Sequence, residues 1–329
     1  MTDGLRIALV GCGAMGEIMA RTVYSGPDAI RLDAVIDPDP RRAELVAELT
    51  GATPFGSLAE ALRSRRIGAV DVRVPHHLHV GVVLSALAAA CHVLTDKPLA
   101  TTLSDARSMV AAAGDAGLVL AVAENYPHLR AVLDARAAID AGQIGDLIAL
   151  RSLRAYEVGG VWVRDGWRQG GGPSGGILLD QGTHQVSLLR CLGGPVEAVA
   201  ASGDAGGTVS LTLRMASGIV AQSLLTWHSP GPAAQAEATV LGTGGRLDVI
   251  VDYEAHEGGT RIWAAGEVEH RGKENYYDSH RVMVIDWLRA IQSGAEPVVP
   301  GREGLADLAV VLAAAESLAG GGAYVAVES

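Results

Sequence analysis

The stretch Leu5–Gly16, LRIALVGCGAMG, decides how the rest of the chain is read. Leu5–Val10 is a short, nearly continuous apolar run, the pattern of a strand covered on both faces. It passes directly into GCGAMG, and a helical pattern takes over from Ala14 to Tyr24. Placed between a strand and a helix, Gly11, Gly13 and Gly16 fit GxGxxG. The first glycine permits the tight turn, the second lets a pyrophosphate approach the backbone, and the third packs the helix on the strand. Cys12, Ala14 and Met15 complete the loop, whose N–H groups at the helix start suit the phosphates. A second strand, Leu32–Asp37, ends in a carboxylate 21 positions beyond Gly16. Asp37 is placed to accept hydrogen bonds from both hydroxyls of an adenosine ribose and to repel a 2′-phosphate. The expected coenzyme is NAD, with NADP disfavoured, although Arg41 and Arg42 lie close enough in sequence to soften the discrimination.

The same alternation continues. Strand runs at Ala69–Val74, His92–Leu94 and Leu118–Ala123 are separated by helical stretches at Arg41–Leu49, Val80–Ala90 and Ser104–Ala116. Buried strands alternating with helices imply an α/β Rossmann domain with a parallel sheet, assigned to residues 1–125. After a helix at Leu129–Ala141 the pattern changes. Leu147–Ala155 and the segment from Val196 to Ile262 read as repeated strands with glycine-rich turns, including a hairpin around Ser217–Gly218. One helix, Ile177–Leu192, interrupts them, and Tyr277–Gln292 and Glu303–Leu318 are helical. Residues 126–329 are therefore expected to form an α+β domain, whose C-terminal helices are free to pack back on the first.

Composition narrows the function classes. The 329 residues are 49% hydrophobic, and no apolar run reaches the ~18 residues of a membrane span. The formal charge of −11, without basic runs, argues against a nucleic-acid surface. Cys12, Cys91 and Cys191 form no CxxC and read as buried reduced thiols. The opening residues show no cationic leader pattern, so the expected location is the cytoplasm.

A Rossmann sheet binds beyond the carboxyl ends of its strands. The segment ACHVLTDKPLATT delivers Lys97 to such an end, as the neighbouring strands deliver Pro75 and Glu124–Asn125. An ammonium there can hydrogen-bond a substrate hydroxyl or steady a developing alkoxide. In GGILLDQGTHQVSLLRCLGG, Asp180 and His184 stand four apart and share one face if the helix has begun by Asp180. The carboxylate can then orient an imidazole suited to proton transfer at neutral pH. Tyr156, Trp162, Arg164, Trp167 and Arg168 occupy a glycine-rich connection leading to that helix. Aromatic faces with arginines suit a polyhydroxylated substrate, and equally a subunit interface. His76, His77 and His79 lack a Cys or carboxylate at ligand spacing, so no metal is expected. His280 sits on a late helix from which it can reach the site.

Taken together, GCGAMG, VPHHLHV, CHVLTDKPLATT, AENY and the Asp-x-x-x-His helix resemble the glucose–fructose oxidoreductase/inositol dehydrogenase/MocA family over nearly the whole chain. The resemblance implies a second domain with a large open, mostly antiparallel sheet, and homodimers or homotetramers built through it. It implies a catalytic set of Lys97, Asp180 and His184, with His184 as proton acceptor. It places Pro75, His76, His79, Asp96, Lys97 and Asn125 beside the coenzyme and Tyr126, Tyr156, Trp162 and Trp167 toward the substrate. Asp96 replaces the family's more frequent Glu, and Val74 its usual Thr. The implied activity is NAD-dependent interconversion of a secondary alcohol and ketone on a sugar, cyclitol or related polyol. Competing expectations are a reductase of deoxy- or amino-sugar synthesis, an NAD-assisted glycoside-cleaving enzyme, and a non-catalytic dinucleotide sensor.

Overall fold

The computed structural model describes residues 4–160, 175–229, 234–252 and 255–328. The chain divides into two compact units, Met1–Ala123 with His280–Leu305, and Glu124–Ser279 with Ala306–Ser329.

In the first unit β1 (Ile7–Val10), β2 (Ala34–Ile36), β3 (Thr53–Phe55), β4 (Ala69–Val72), β5 (His92–Asp96) and β6 (Leu120–Ala123) form a parallel sheet. Their order is β3-β2-β1-β4-β5-β6. Helices α1 (Ala14–Thr22), α2 (Pro40–Thr50), α3 (Leu58–Ser64), α4 (His79–Ala88) and α5 (Leu103–Asp115) connect them. The order reverses at β1, so the turns after β1 and β4 lie side by side where open α/β sheets take their ligands. Strand β3 and helix α3 leave little pattern in the sequence, because β3 is a three-residue edge strand carrying Pro54.

Residues 280–305 also belong to this unit rather than to the second. The reason is the apolar face of α8 (Asp278–Ser293): Met283, Val284, Trp287 and Leu288 join one core with Leu9, Met19, Tyr24 and Leu94. Beyond it, the Val122 N–H donates to the Val299 carbonyl at 2.9 Å, which ties residues 299–300 to β6.

In the second unit, α6 (Arg130–Asp140) and α7 (Thr183–Gly193) accompany a nine-stranded sheet. Its strands are β7 (Leu147–Ala155), β8 (Val196–Asp204), β9 (Thr208–Met215), β10 (Val220–Thr226), β11 (Ala234–Gly242), β12 (Gly245–Asp252), β13 (Glu257–Ala264), β14 (Glu267–Asn275) and β15 (Val325–Ala326). They run in the order β14-β13-β12-β11-β7-β10-β9-β8-β15, antiparallel except for the β7–β10 pair. The hairpin at Ser217–Gly218 is present, with Gly218 at φ +85°. Alternation sorts the strands: Ala221, Ser223 and Leu225 of β10 are buried, while Val220, Gln222 and Leu224 stay exposed. The final helix, α9 (Gly301–Ala319), enters the second unit at Ala306.

Trp287, fully buried in the first unit, is the largest side chain that α8 contributes. Trp287→Ala is expected to cost about 3–5 kcal/mol in urea unfolding, and a loss below about 1 kcal/mol contradicts its place in that core.

Candidate active site

The first unit builds a dinucleotide cradle from crowded backbone. Gly11 has φ +96°, and a Cβ on it would lie 2.4 Å from the Arg73 carbonyl oxygen. A Cβ on Gly16 would lie 2.0 Å from the Gly11 carbonyl oxygen. Only glycine permits both approaches. Gly13 opens α1 without a side-chain cap. The N–H groups of Ala14, Met15 and Gly16, which a helix leaves without intrahelical partners, suit an anionic oxygen.

Asp37 is almost wholly buried, and each of its oxygens already accepts one backbone hydrogen bond. Cys12 N–H donates to Oδ2 at 2.8 Å and Asp39 N–H to Oδ1 at 2.9 Å. A carboxylate offers about four acceptor positions, so two remain for a pair of vicinal hydroxyls. These residues fit an adenosine dinucleotide. Arg41 and Arg42 pair instead with Asp39, at 3.4 and 3.8 Å, while Asp39 caps α2 through the Arg41 N–H. Burial, reinforced by Asp37, pushes the Cys12 thiol up to about 12, so it is inert as a nucleophile.

Lys97 follows β5, joined to Pro98 by a cis peptide bond, and is 7% exposed. A line of buried polar groups leads to it. The Tyr24 hydroxyl donates to Asp71 at 2.6 Å, Arg73 Nε donates to Asp71 at 2.7 Å, and Arg73 Nη1 stands 3.9 Å from Asp96. Asp96 in turn accepts the Lys97 N–H at 2.8 Å. Burial by itself would raise Asp96, but Arg73, Lys97, His79 and His76 outweigh it and hold the carboxyl below its usual range. Pro75 precedes a 3-10 turn, His76–Leu78. His76 is 4% exposed, and His79 is fully buried with both ring nitrogens against backbone carbonyls. Its ring is enclosed by protein.

In the second unit the imidazole of His184, at the start of α7, meets a carboxylate the sequence reading did not pair with it. Nδ1 lies 2.7 Å from Glu124 Oε2 and 2.9 Å from Oε1. Glu124 has no exposed surface and follows β6 directly, and its Oε1 also accepts the Tyr126 N–H at 3.1 Å. The proton on Nδ1 is thereby directed to Glu124, which makes Nε2 the basic nitrogen. Asp180, expected to orient this ring, sits 1% exposed in a π-helical turn, Leu178–Gly182, that precedes α7. The signal for Glu124 was its place at a strand's carboxyl end, the same signal that singled out Lys97.

Around the pair lies a buried polar set. Tyr126 is fully buried, its ring 5.2 Å from that of His184, and its hydroxyl donates to Glu237 at 2.7 Å. Gln185 donates to the same Glu237 oxygen at 2.6 Å, and Arg154 Nη1 lies 3.5 Å from it and 3.1 Å from the Tyr126 hydroxyl. Burial raises Glu237 above the usual carboxylate range against these three partners. Tyr126 is thus spent inside the unit, whereas Tyr156 is half-buried, stacked under Arg154 at 5.0 Å and hydrogen-bonded by Trp227 Nε1 at 3.1 Å. Asn125 donates to Ser279 Oγ at 3.0 Å and also bonds Tyr276, whose phenol burial pushes up to about 12. Trp162, Arg164, Trp167 and Arg168 lie outside the described residues. His280 belongs to the first unit. Among the described residues no group of three His, Cys, Asp or Glu side chains is arranged to hold a metal ion, and no helix is long and apolar enough to cross a membrane.

The fold agrees with what comparison shows. Residues 5–124 match the oxidoreductase family with an NAD-binding Rossmann fold, and residues 132–248 match the GFO/IDH/MocA C-terminal domain. The chain belongs to this family of NAD-binding oxidoreductases. It is 32% identical over 277 residues to 1,5-anhydro-D-fructose reductase of Ensifer adhaerens, covering 80% of this chain and 81% of that one. It is 27% identical over 339 residues to inositol 2-dehydrogenase of Rhizobium meliloti, covering 96% and 97%. Among solved structures, an oxidoreductase from Agrobacterium radiobacter in complex with NAD+, L-tartaric acid and magnesium shares the fold, with TM-score 0.86, 21% identity and 98% of each chain covered.

Behind His184 on α7, Arg190 bonds Asp307 of α9, and Glu124 lies close enough to repel it. Burial is the larger influence and pushes Asp307 up to about 6 despite Arg190. The folded state then holds a proton that the unfolded chain, with an Asp near ~3.9, releases earlier. Stability should therefore fall as pH rises from about 4 to about 6. Asp307→Asn, a neutral stand-in for the acid, is expected to lose that fall, whatever constant offset it adds. Parallel pH slopes for the two proteins in thermal unfolding contradict the assignment.

Proposed function

We propose that the protein interconverts a secondary alcohol and a ketone on a sugar, cyclitol or related polyol, using NAD. The observation that carries this reading is the His184–Glu124 pair, a base with its proton-bearing nitrogen fixed at 2.7 Å from a buried carboxylate. In oxidation, His184 Nε2 takes the hydroxyl proton as the carbinol C–H bond breaks, and in reduction it returns that proton to the oxygen. Bound NAD supplies the hydride acceptor, and its reduced form the donor. The resulting imidazolium is stabilised by Glu124. The Lys97 ammonium polarises the same substrate oxygen, and Asp180 supports the proton transfer.

The coenzyme is NAD rather than NADP, because Asp37 repels a 2′-phosphate and the two nearest arginines are engaged by Asp39. Polyhydroxylated substrates agree with the stacked Arg154–Tyr156 pair and with the sugar and inositol chemistry in the names of the relatives. We also infer a homodimer or homotetramer through the sheet face on which Val220 and Leu224 are each 43% exposed. The free Cys12, Cys91 and Cys191 suit a reducing cytoplasm.

The test follows reduced nicotinamide by absorbance against a panel containing myo-inositol, glucose and, in the reductive direction, 1,5-anhydro-D-fructose. His184→Ala and Lys97→Ala are each expected to lower kcat by ~10²–10⁴ while NAD binding holds. Asp37→Ser should move coenzyme preference toward NADP by about tenfold or more. Near-normal kcat in His184→Ala sinks the proton-transfer role.

A further inference from the structure

The chain contains two lysines among 26 lysines and arginines, Lys97 and Lys273. Where the one at the strand end points therefore depends on how its turn is held, and that turn has an unusual fastening. His79, first residue of α4, is fully buried. Its Nδ1 stands 2.8 Å from the carbonyl oxygen of Pro98, and its Nε2 stands 3.0 Å from that of Val74. Pro98 directly follows Lys97. Val74 directly follows Arg73, whose own carbonyl crowds the Gly11 position of the dinucleotide loop. One ring thus joins the turn after β4 to the turn after β5.

We propose that His79 is the positioning residue for Lys97, clamping the Lys97–Pro98 turn to the end of β4. Burial pulls the imidazole below its ordinary range, against Asp96 and the carbonyls of Val74, Pro98 and Leu99. A neutral ring donates a single N–H, so it bonds one of the two carbonyls at a time and packs against the other; a protonated ring bonds both. An apolar replacement leaves the bonded carbonyl buried without its donor, which costs more than a lost contact. Asp96 acts from the other side by accepting the Lys97 N–H, so the lysine's backbone is held at both neighbours. Of the three histidines in HHLH, the third is thereby given a mechanical role in place of a metal or coenzyme contact. The consequence for turnover rests on the proposed role of Lys97; the clamp itself does not.

The experiment is competitive amine labelling with acetic anhydride on the full-length protein, read by peptide mass spectrometry as the Lys97-to-Lys273 ratio. His79→Phe keeps a ring without a donor, and His79→Gln keeps one donor; thermal unfolding confirms that each folds. The expected result is a ratio changed at least several-fold in His79→Phe and partly restored in His79→Gln. Turnover should fall by about 10- to 100-fold with NAD binding unchanged, and the same substitution should cost nothing more in a Lys97→Ala background. If His79→Phe fails to fold, the His79→Gln ratio decides. An unchanged labelling ratio overturns the clamp. A changed ratio with unchanged turnover supports the clamp and counts instead against the catalytic role of Lys97.

Discussion

A carboxylate with no exposed surface needs its charge held by something, and at Glu124 the holder is His184. Much of the second unit's polar interior is arranged around that obligation. The Tyr126 N–H fills a second acceptor position on Glu124, the Tyr126 ring packs beside the imidazole, and the Tyr126 hydroxyl passes the demand on to Glu237. One oxygen of Glu237 is met in turn by Gln185, one residue beyond His184 on α7, and by Arg154 from β7. Each group fixes the rotamer of the next, so His184 reaches its geometry without any substrate to shape it. Preorganisation of this kind is where enzymes derive much of their advantage over water.

The first unit solves a different problem, bringing backbone close to a charged coenzyme. Its strand order reverses at β1, and the two glycine approaches at Gly11 and Gly16 leave no room for a side chain. The buried line from Tyr24 through Asp71 and Arg73 to Asp96 anchors the turn that carries Lys97 to the body of the sheet. Its alternating charges explain how Asp71 and Arg73 are tolerated at 0% and 5% exposure: each has a partner at hydrogen-bond distance.

The parts that the sequence displayed openly were those governed by local pattern. GCGAMG between a strand and a helix, the buried β1 run and the position of Asp37 all depend on near neighbours in the chain. The second unit's strands were legible as repeated runs with glycine-rich turns, and their open, mostly antiparallel sheet through the family resemblance. What stayed hidden depends on distant pairs. His184 was expected beside Asp180, four positions away; the carboxylate against its Nδ1 is Glu124, separated by 60 positions. Tyr126 and His79, placed toward ligands because of their motifs, are both fully buried. That C-terminal helices pack back on the first unit was among the expectations, but which residues do so was not, since an apolar face does not say which sheet it covers.

The proposed catalysis depends most directly on the tautomer that Glu124 imposes. The measurement is the pH dependence of kcat for the wild type and for Glu124→Gln, with folding checked by thermal unfolding. An amide at this position can donate to Nδ1 and so place the ring proton on Nε2, the wrong nitrogen for a base. The expected result is a kcat lower by ~10²–10⁴ across the profile, with NAD binding intact. A Glu124→Gln protein that folds and turns over at the wild-type rate contradicts it.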